Sequence, residues 1–516
     1  MQTWRAVALS CALIAGCGGP LPEVEPPSDE QMPGDEVAAM WTNDTPTLGR
    51  ARFVKDIFPE AAFRGAEPQN LVSFRGKLSF AANHQDGRRE LWKSNGTRAG
   101  TVVVVEFPPL SRPAGFFDFL SNLTPVGCQL FFTVGDEAHG NELWVSDGTR
   151  EGTRLVEDLT PGTEGSAPHT LVAVGKTLFF FRTLGGDPSS PGRTELWTSD
   201  GTAEGTVRVR DFGPGTSARS DRVIARGDTL FFFLANPDGT HELWKSDGSG
   251  AGTMRLRTFD PAPLGSPPSS LRIAGRLVYF IAEDSTHGNE LWRTDGTVAG
   301  TELVEDLTPG PASTTLQLLD VARDQLFFTT RDQTGTVMRL FKVKVGGDSR
   351  CDPKLVTTLP NPFAGNPEVT SFITAFATTG RELFFSVAFF GPGPAPIDHQ
   401  LWVTDGTKSG TKLLHRPLSL SDEFTTELFP VGDLLLFPAN NEADETDTEL
   451  WVSDGTVKGT RRLRDINPGL ASSFPHAFTR VGDCVFFIAF REGEGDALWV
   501  LPVRRSSHAS VVGAER

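Results

Sequence analysis

The sequence predicts an all-β chain folded as a single closed β-propeller of about nine four-stranded blades, with eight blades as the alternative. Three observations carry this. One phrase, Glu-Leu-Trp followed by (Ser/Thr)-Asp-Gly-Thr and then Gly-Thr, recurs at Trp92, Trp144, Trp197, Trp244, Trp292, Trp402 and Trp451, with degenerate copies centred on Phe341 and Trp499. Successive copies are 52, 53, 47, 48, 49, 61, 49 and 48 residues apart, a spacing that, with strand-like content, marks a radial array of small sheets. Neighbouring side chains of a strand point to opposite faces, yet Leu196-Trp197 and Leu178-Phe179-Phe180-Phe181 are large and apolar on both. A sheet buried on both sides must sit between two others, as a blade does. Finally, the two ends complement each other. Phe53-Val54-Lys55-Asp56-Ile57-Phe58-Pro59 reads like the fourth strand of a repeat, such as Leu155-Val156-Glu157-Asp158-Leu159, and the last repeat stops after its third, Leu498-Trp499-Val500-Leu501. The N-terminal strand is therefore expected to complete the last blade and remove the open edges of the ring.

Taken in chain order, residues 1–16 read as a secretory signal, with Arg5 ahead of an apolar run from Ala6 to Ala15 that is too short to span a bilayer. Ile14-Ala15-Gly16-Cys17 is similar to a bacterial lipobox, which implies lipidation at Cys17, and Gly18 rather than Asp after it implies the outer membrane. Residues 17–50 are rich in Pro, Glu and Asp and poor in large apolar side chains, the composition of a flexible tether. The propeller body spans 51–505, and 506–516 form a tail. With 48 basic against 65 acidic residues and a net charge of −17, the chain lacks the basic surface that nucleic acid requires. Cys128, Cys351 and Cys484 fall in repeats that are not neighbours, so no disulfide framework is expected.

Repeat three illustrates one blade. Leu171–Val174 is a first strand, Gly175-Lys176-Thr177 a tight turn, Leu178–Phe181 a second strand and Glu195–Thr198 a third. Asp200-Gly201-Thr202 and Gly205-Thr206 then make a hairpin before Val207–Arg210. Gly supplies positive φ in such loops, and Asp and Thr side chains bond local backbone.

At these residues the chain resembles the bacterial ELWxxDGT repeat family of secreted or surface propellers, over nearly the whole of the body. Repeat six departs from the pattern, reading Arg339-Leu340-Phe341-Lys342-Val343-Lys344 with no DGT. A fainter similarity, carried by Asp136–Trp144, is to quinoprotein-type propellers, among them redox dehydrogenases and a lipoprotein scaffold of outer-membrane barrel assembly. The redox branch carries an adjacent cysteine pair, and no two cysteines are adjacent here.

What recurs in every unit builds the fold, so a site is expected where units differ, in the loops between second and third strands and in the links between blades. His84, His139, His241, His287 and His399 lie in or beside those loops. Sheets packed about 10 Å apart keep five such loops from converging on one ion, so these histidines are read as backbone-bonding residues rather than metal ligands. The recurring Glu of ELW is read as a strand-edge hydrogen-bonding or ion-pairing group, because an active site needs a few converging carboxylates and not one per blade. Turn chemistry accounts for the Asp of DGT, with a calcium ion as the alternative.

Two loops stand out as ligand-binding candidates. Phe389-Phe390 heads a proline-stiffened loop, Gly391–Pro396, with His399 just beyond it, and Glu442, Asp444, Glu445 and Asp447 form an acidic cluster. Rigid exposed aromatics suit a protein or sugar contact. Repeat six carries a basic stripe of Arg339, Lys342, Lys344, Arg350 and Lys354, read as salt bridging to acidic neighbours. No H-E-x-x-H, G-x-S-x-G or Walker phrase is present. The expected function is a non-enzymatic cell-envelope lipoprotein, monomeric and without a cofactor. It would be held to the outer membrane by its lipid, with its propeller binding an envelope or extracellular protein or polysaccharide at the cell surface. The alternatives are a periplasmic scaffold for envelope assembly and an extracellular glycan hydrolase or lyase.

Overall fold

The computed structural model describes residues 46–58, 68–111, 118–185, 192–260, 267–332, 334–346, 352–366, 368–418, 427–441, 444–469 and 471–504. The signal, Cys17, Cys351, Glu442 and the tail lie outside them. Among the described residues every sheet is antiparallel and nine of them make nine blades. Blade one illustrates the order, with strands Gln69–Phe74, Lys77–Asn83, Arg89–Ser94 and Val102–Phe107 running from the channel to the rim. The first strands of neighbouring blades lie side by side, including those of blades nine (His476–Val481) and one. The ring is thus closed.

The reason lies in the two-faced apolar strands. Nine separate clusters of buried side chains are present, one between each pair of adjacent blades. An open row of nine sheets would bury only eight such seams. Within a blade, the Trp of the repeat faces a Phe across the second and third strands: Phe80 pairs with Trp92 and Phe232 with Trp244. Their rings stack, with centroids 6.0 and 6.5 Å apart. Spacing and ring shape therefore account for both the period and the Phe-rich second strands.

Closure follows the sequence expectation and extends it. Arg52–Lys55 pairs with the third strand of blade nine, Gly495–Arg504, in the register Arg52↔Val500 and Phe53↔Trp499. A further two-residue strand, Thr47–Leu48, pairs with the far end of the same strand through Leu48↔Val503, and Gly49 N–H donates to Pro502 O at 2.7 Å. The tether was expected to run to residue 50, so the ordered body begins earlier than composition indicated. The cause is the apolar run Leu501-Pro502-Val503, which gives Leu48 a surface to cover. Cysteine chemistry also differs among the described residues: Cys484 is free, whereas Cys128 is disulfide-bonded.

The DGT hairpins close the third and fourth strands. Asp147 Oδ1 accepts from Thr149 N and Oγ1 at 2.8 and 2.6 Å, and Gly152 N donates to Thr149 Oγ1 at 3.0 Å. The same set recurs at Asp200, Asp295, Asp405 and Asp454. The carboxylate is engaged inside its own loop, and its pKa lies below the usual carboxylate range because Thr149 hydrogen-bonds it. A Cβ on Gly152 would stand 2.1 Å from Asp147 Oδ1. Gly152→Ala should therefore expel the carboxylate and cost about 1–3 kcal/mol, read as a lowered urea midpoint with an unchanged slope.

Candidate functional site

The tight turns and DGT hairpins occupy one face of the ring, while the blade links and second-to-third strand loops occupy the other. On that second face, over blades one to four, the channel widens into a cavity of about 1000 Å³. Its wall is built from the starts of the innermost strands. Gln69, Ser121, Asn122 and Thr170 come from blades one to three, Arg219, Ser220 and Asp221 from blade four, and Asn83, Thr133 and Asn141 from the strands behind. Amides and hydroxyls alternate with Pro168, Leu171, Val172 and Ala218, and Phe119, 41 % exposed, adds to the apolar part.

Two backbone irregularities shape this wall. In blades one, two, three, five and nine the second residue of the innermost strand is left-handed: Asn70 (φ 54°), Asn122 (φ 57°), Thr170 (φ 55°), Ser270 (φ 62°) and Ala477 (φ 54°). Each marks a bulge, for the pairing jumps from Gln69↔Ala81 to Val72↔Ser79 in blade one and from His169↔Phe181 to Val172↔Phe179 in blade three. A β-branched residue in this region is strained, and such strain collects at functional sites. Thr170→Gly should consequently raise the melting temperature by about 1–2 °C, corresponding to roughly 1–2 kcal/mol in a body of this size.

Blade four departs further. Its innermost strand, Ser217–Arg226, pairs Ala218↔Leu234 and then Val223↔Phe232, leaving four residues, Arg219 to Arg222, opposite Phe233 alone. The bulge pushes exposed Arg219, Ser220 and Asp221 into the cavity. Arg219 Nε donates to Asp221 Oδ1 at 3.1 Å, and Arg222, mostly buried behind them, stands 3.9 Å from the other Asp221 oxygen. His169 stacks on Phe181 and exchanges hydrogen bonds with Thr170 and Thr183 at 3.0 and 3.1 Å. Burial pushes its pKa below the ordinary histidine value, so it stands neutral at pH 7.

The candidates read from sequence lie elsewhere. Phe389 is 1 % exposed and packs on Phe363 with centroids 5.6 Å apart, so it serves the core between blades six and seven rather than a rigid exposed loop. Pairing of Phe389 with Ser371 and Asp398 extends the second strand through Phe390 and draws the first ring inward. Phe390 is half-buried against Phe372, on which the Arg331 guanidinium also sits, 4.1 Å from the ring centroid. His399 is buried and bonds Thr374 Oγ1 at 2.9 Å. Asp444 begins the third strand of blade eight, and Asp447 is buried against Arg462 at 2.6 Å. The structure does not bring these residues together at the cavity. Among the described residues, no group of three or more His, Cys, Asp or Glu is placed to hold a metal ion.

The Glu of ELW takes two structural roles. In blades three and four it accepts the indole N–H two residues on and an Arg of the fourth strand, as Glu195 does from Trp197 at 2.9 Å and Arg208 at 2.8 Å. In blades two, five and eight it turns to the link leading to the next blade. Glu449 accepts from Ile466 N, Asn467 N and Ser473 Oγ, and Glu290 from Leu307 N and Thr314 Oγ1. Burial raises the pKa of Glu142, Glu290 and Glu449 to about 7, assisted by the neighbouring carboxylates Asp158, Asp306 and Asp465.

Sequence reasoning missed the cavity because it looked for site residues in loops. A usable signal was present in the polar pairs that precede the apolar part of each innermost strand: Gln69-Asn70-Leu71, Ser121-Asn122-Leu123, His169-Thr170-Leu171 and Ser269-Ser270-Leu271.

No protein-family model and no curated protein matches the chain. Solved structures do. The β-propeller domain of the Trilobed protease from Pyrococcus furiosus is similar at 10 % identity over 68 % of this chain and 98 % of that one, with a TM-score of 0.34. A puromycin-hydrolyzing peptidase of Mycobacterium tuberculosis is similar at 12 % identity over 85 % of this chain and 60 % of that one, with a TM-score of 0.42. A puromycin hydrolase mutant in complex with PGG is similar at 14 % identity over 63 % of this chain, with a TM-score of 0.37, and the match spans half of that protein's length. The expectation of a non-enzymatic envelope scaffold, with envelope assembly or glycan cleavage as alternatives, is corrected here to one of fold alone: the similar solved structures are a protease propeller, a puromycin-hydrolyzing peptidase and a puromycin hydrolase, and none is an envelope scaffold. At these identities the likeness is one of fold, a β-propeller, which in this chain has nine blades among the described residues.

Proposed function

We propose that this chain binds a small polar ligand at the mouth of its channel, within the wall formed by blades one to four. The observation that carries this reading is the cavity of about 1000 Å³, whose wall mixes amides and hydroxyls with apolar side chains and is bordered by the four-residue bulge of blade four. Small-molecule sites are concave, preformed and furnished with a few fixed polar groups. Ligand-observed NMR against a panel of free amino acids, short peptides, nucleosides and oligosaccharides tests it. At least one class should bind the native chain, and Ser121→Trp, which fills the cavity from its wall, should abolish that binding without moving the melting temperature. Binding that survives Ser121→Trp, or silence across the panel, would overturn the reading.

Placement in the cell is a separate matter. The lipobox-like sequence ending in Cys17 supports attachment to a membrane by lipid. In a bacterial host, labelled palmitate should enter the full chain, and Cys17→Ser should prevent it.

A further inference from the structure

The innermost strands carry more information about the ligand. Each pairs on one edge only, with the second strand of its blade, and turns the other edge to the channel. A strand edge outside any ladder offers backbone N–H and C=O groups at the spacing of an extended chain. Such edges are normally closed off or covered. Here they face a cavity, and at Asn70, Asn122 and Thr170 the left-handed bulges rotate successive peptide units away from the second strand.

Charge completes the picture. Arg219 and Asp221 are the charged side chains of the cavity wall, with Arg222 behind them. Two guanidinium groups against one carboxylate leave a local charge of +1 on a chain whose net charge is −17. Asp221 engages Arg219 through Nε, the one guanidinium nitrogen that does not belong to the terminal fork. That contact orients the side chain and leaves the two Nη groups for a planar, bidentate anion such as a carboxylate. The amides and hydroxyls of Gln69, Asn83, Asn122 and Thr133 are neutral groups suited to peptide amides, and Phe119, Leu171 and Val172 can take an apolar side chain.

Resting on the channel-mouth reading above, we infer that the ligand is a short peptide bound through its C-terminal carboxylate. The carboxylate meets the Arg219 fork, and the peptide's backbone amides run along the channel-facing strand edges and side-chain amides of blades one to three, beside carbonyls such as Leu71 O that already accept a side-chain hydroxyl. Arg219 is the specificity-determining residue and Asp221 its positioning residue.

The test uses the full chain and titration calorimetry with di- to tetrapeptides of Ala, Ser and Phe, each as the free acid and as the C-terminal amide. The free acid should bind, and amidation should weaken it roughly 10- to 100-fold, the range expected for a charge-assisted hydrogen-bonded pair. Arg219→Gln should bring the free acid down to the affinity of the amide, whereas Arg219→Lys should recover part of the difference. Arg219 is exposed on a bulge, so neither variant should alter folding. Equal binding of acid and amide by the native chain overturns the carboxylate assignment while leaving the channel-mouth reading intact. Failure of every peptide, with another class of the panel binding and lost in Ser121→Trp, overturns the peptide inference alone. Loss of all binding at the cavity overturns both.

Discussion

Phe58→Ala should unfold the ring at its closure and lower stability by about 3–5 kcal/mol, the cost of emptying a fully packed aromatic site. Phe58 is 4 % exposed and belongs with Val54 and Ile57 to the buried cluster between blades nine and one that includes Phe80, Trp92 and Phe486, its ring centroid 4.8 Å from that of His84. Lys55 spans the same seam from the closing strand, its Nζ 4.6 Å from the Trp92 ring centroid and 3.2 Å from Thr101 O. Seven of the other seams join blades that follow one another in the chain, and the seam between blades eight and nine also takes in Leu48, Ala51 and Phe53 of the closing segment. The seam between blades nine and one joins residues some four hundred positions apart, as the 408-residue separation of the Thr479 Oγ1 to Leu71 O hydrogen bond illustrates. Loss of packing here therefore does more than empty a cavity. It frees the third strand of blade nine, ten residues from Gly495 to Arg504, to present an edge to another molecule. An equal truncation in an interior seam, Phe280→Ala between blades four and five, should cost a similar free energy while leaving the closing strand in place. Urea unfolding with size-exclusion chromatography separates the two. Phe58→Ala should populate oligomers at urea concentrations where Phe280→Ala is still monomeric, and equal oligomerisation of both would refute a special role for closure.

Nearly all of the fold could be read from the chain, for a physical reason. A repeat whose strands are apolar on both faces can bury them only between copies of itself, so Leu196-Trp197 and Leu178–Phe181 announce the blade, its neighbours and the ring together. The closing strand was legible because Phe53–Ile57 repeats the pattern of a fourth strand. Little of the cavity could be read. Its distinguishing feature, the bulge from Arg219 to Arg222, arises from a pairing register, and register depends on which residues of the second strand face which of the first. Arg219-Ser220-Asp221 looks in sequence like an ordinary polar link. Phe389 misled for the converse reason. A pair of phenylalanines beside a Gly-Pro loop reads as a display, and only cross-strand pairing with Ser371 and Asp398 shows that the strand continues and turns the first ring into the core.

Stability should fall as pH rises from 5 to 8, and Glu142→Gln should remove a measurable part of that fall. Glu142, Glu290 and Glu449 are fully buried, and burial holds the pKa of each at about 7 in the folded chain. In the unfolded chain a glutamate titrates near its ordinary value of about 4.3. Between these values the native state binds more protons than the unfolded state, so these groups stabilise fully below the unfolded pKa and lose that contribution as pH climbs through 7. At pH 8 each costs up to about 4 kcal/mol relative to its protonated form. The aspartates of the DGT hairpins, whose pKa values hydrogen bonds lower, act in more acid solution. His169, whose pKa burial lowers, works in the opposite sense across part of the same window. The three glutamates are not equivalent to substitution. Glu449 accepts hydrogen bonds on both oxygens, and an amide nitrogen there would face a backbone N–H. Glu142 takes the Ser166 hydroxyl on Oε2, its Oε1 is buried without a close hydrogen bond, and the Ser166 and Leu159 backbone offsets burial only in part. An amide in place of Glu142 removes the buried charge and its repulsion by the neighbouring Asp158. Glu142→Gln should accordingly raise the melting temperature at pH 8, leave it nearly unchanged at pH 5, and flatten the slope between them. Glu449→Gln should be destabilising at pH 5 and recover little at pH 8. Parallel slopes for the native chain and Glu142→Gln would mean that Glu142 ionises without cost in the folded ring, and that the joint between blades two and three holds its charge by a contact other than those described.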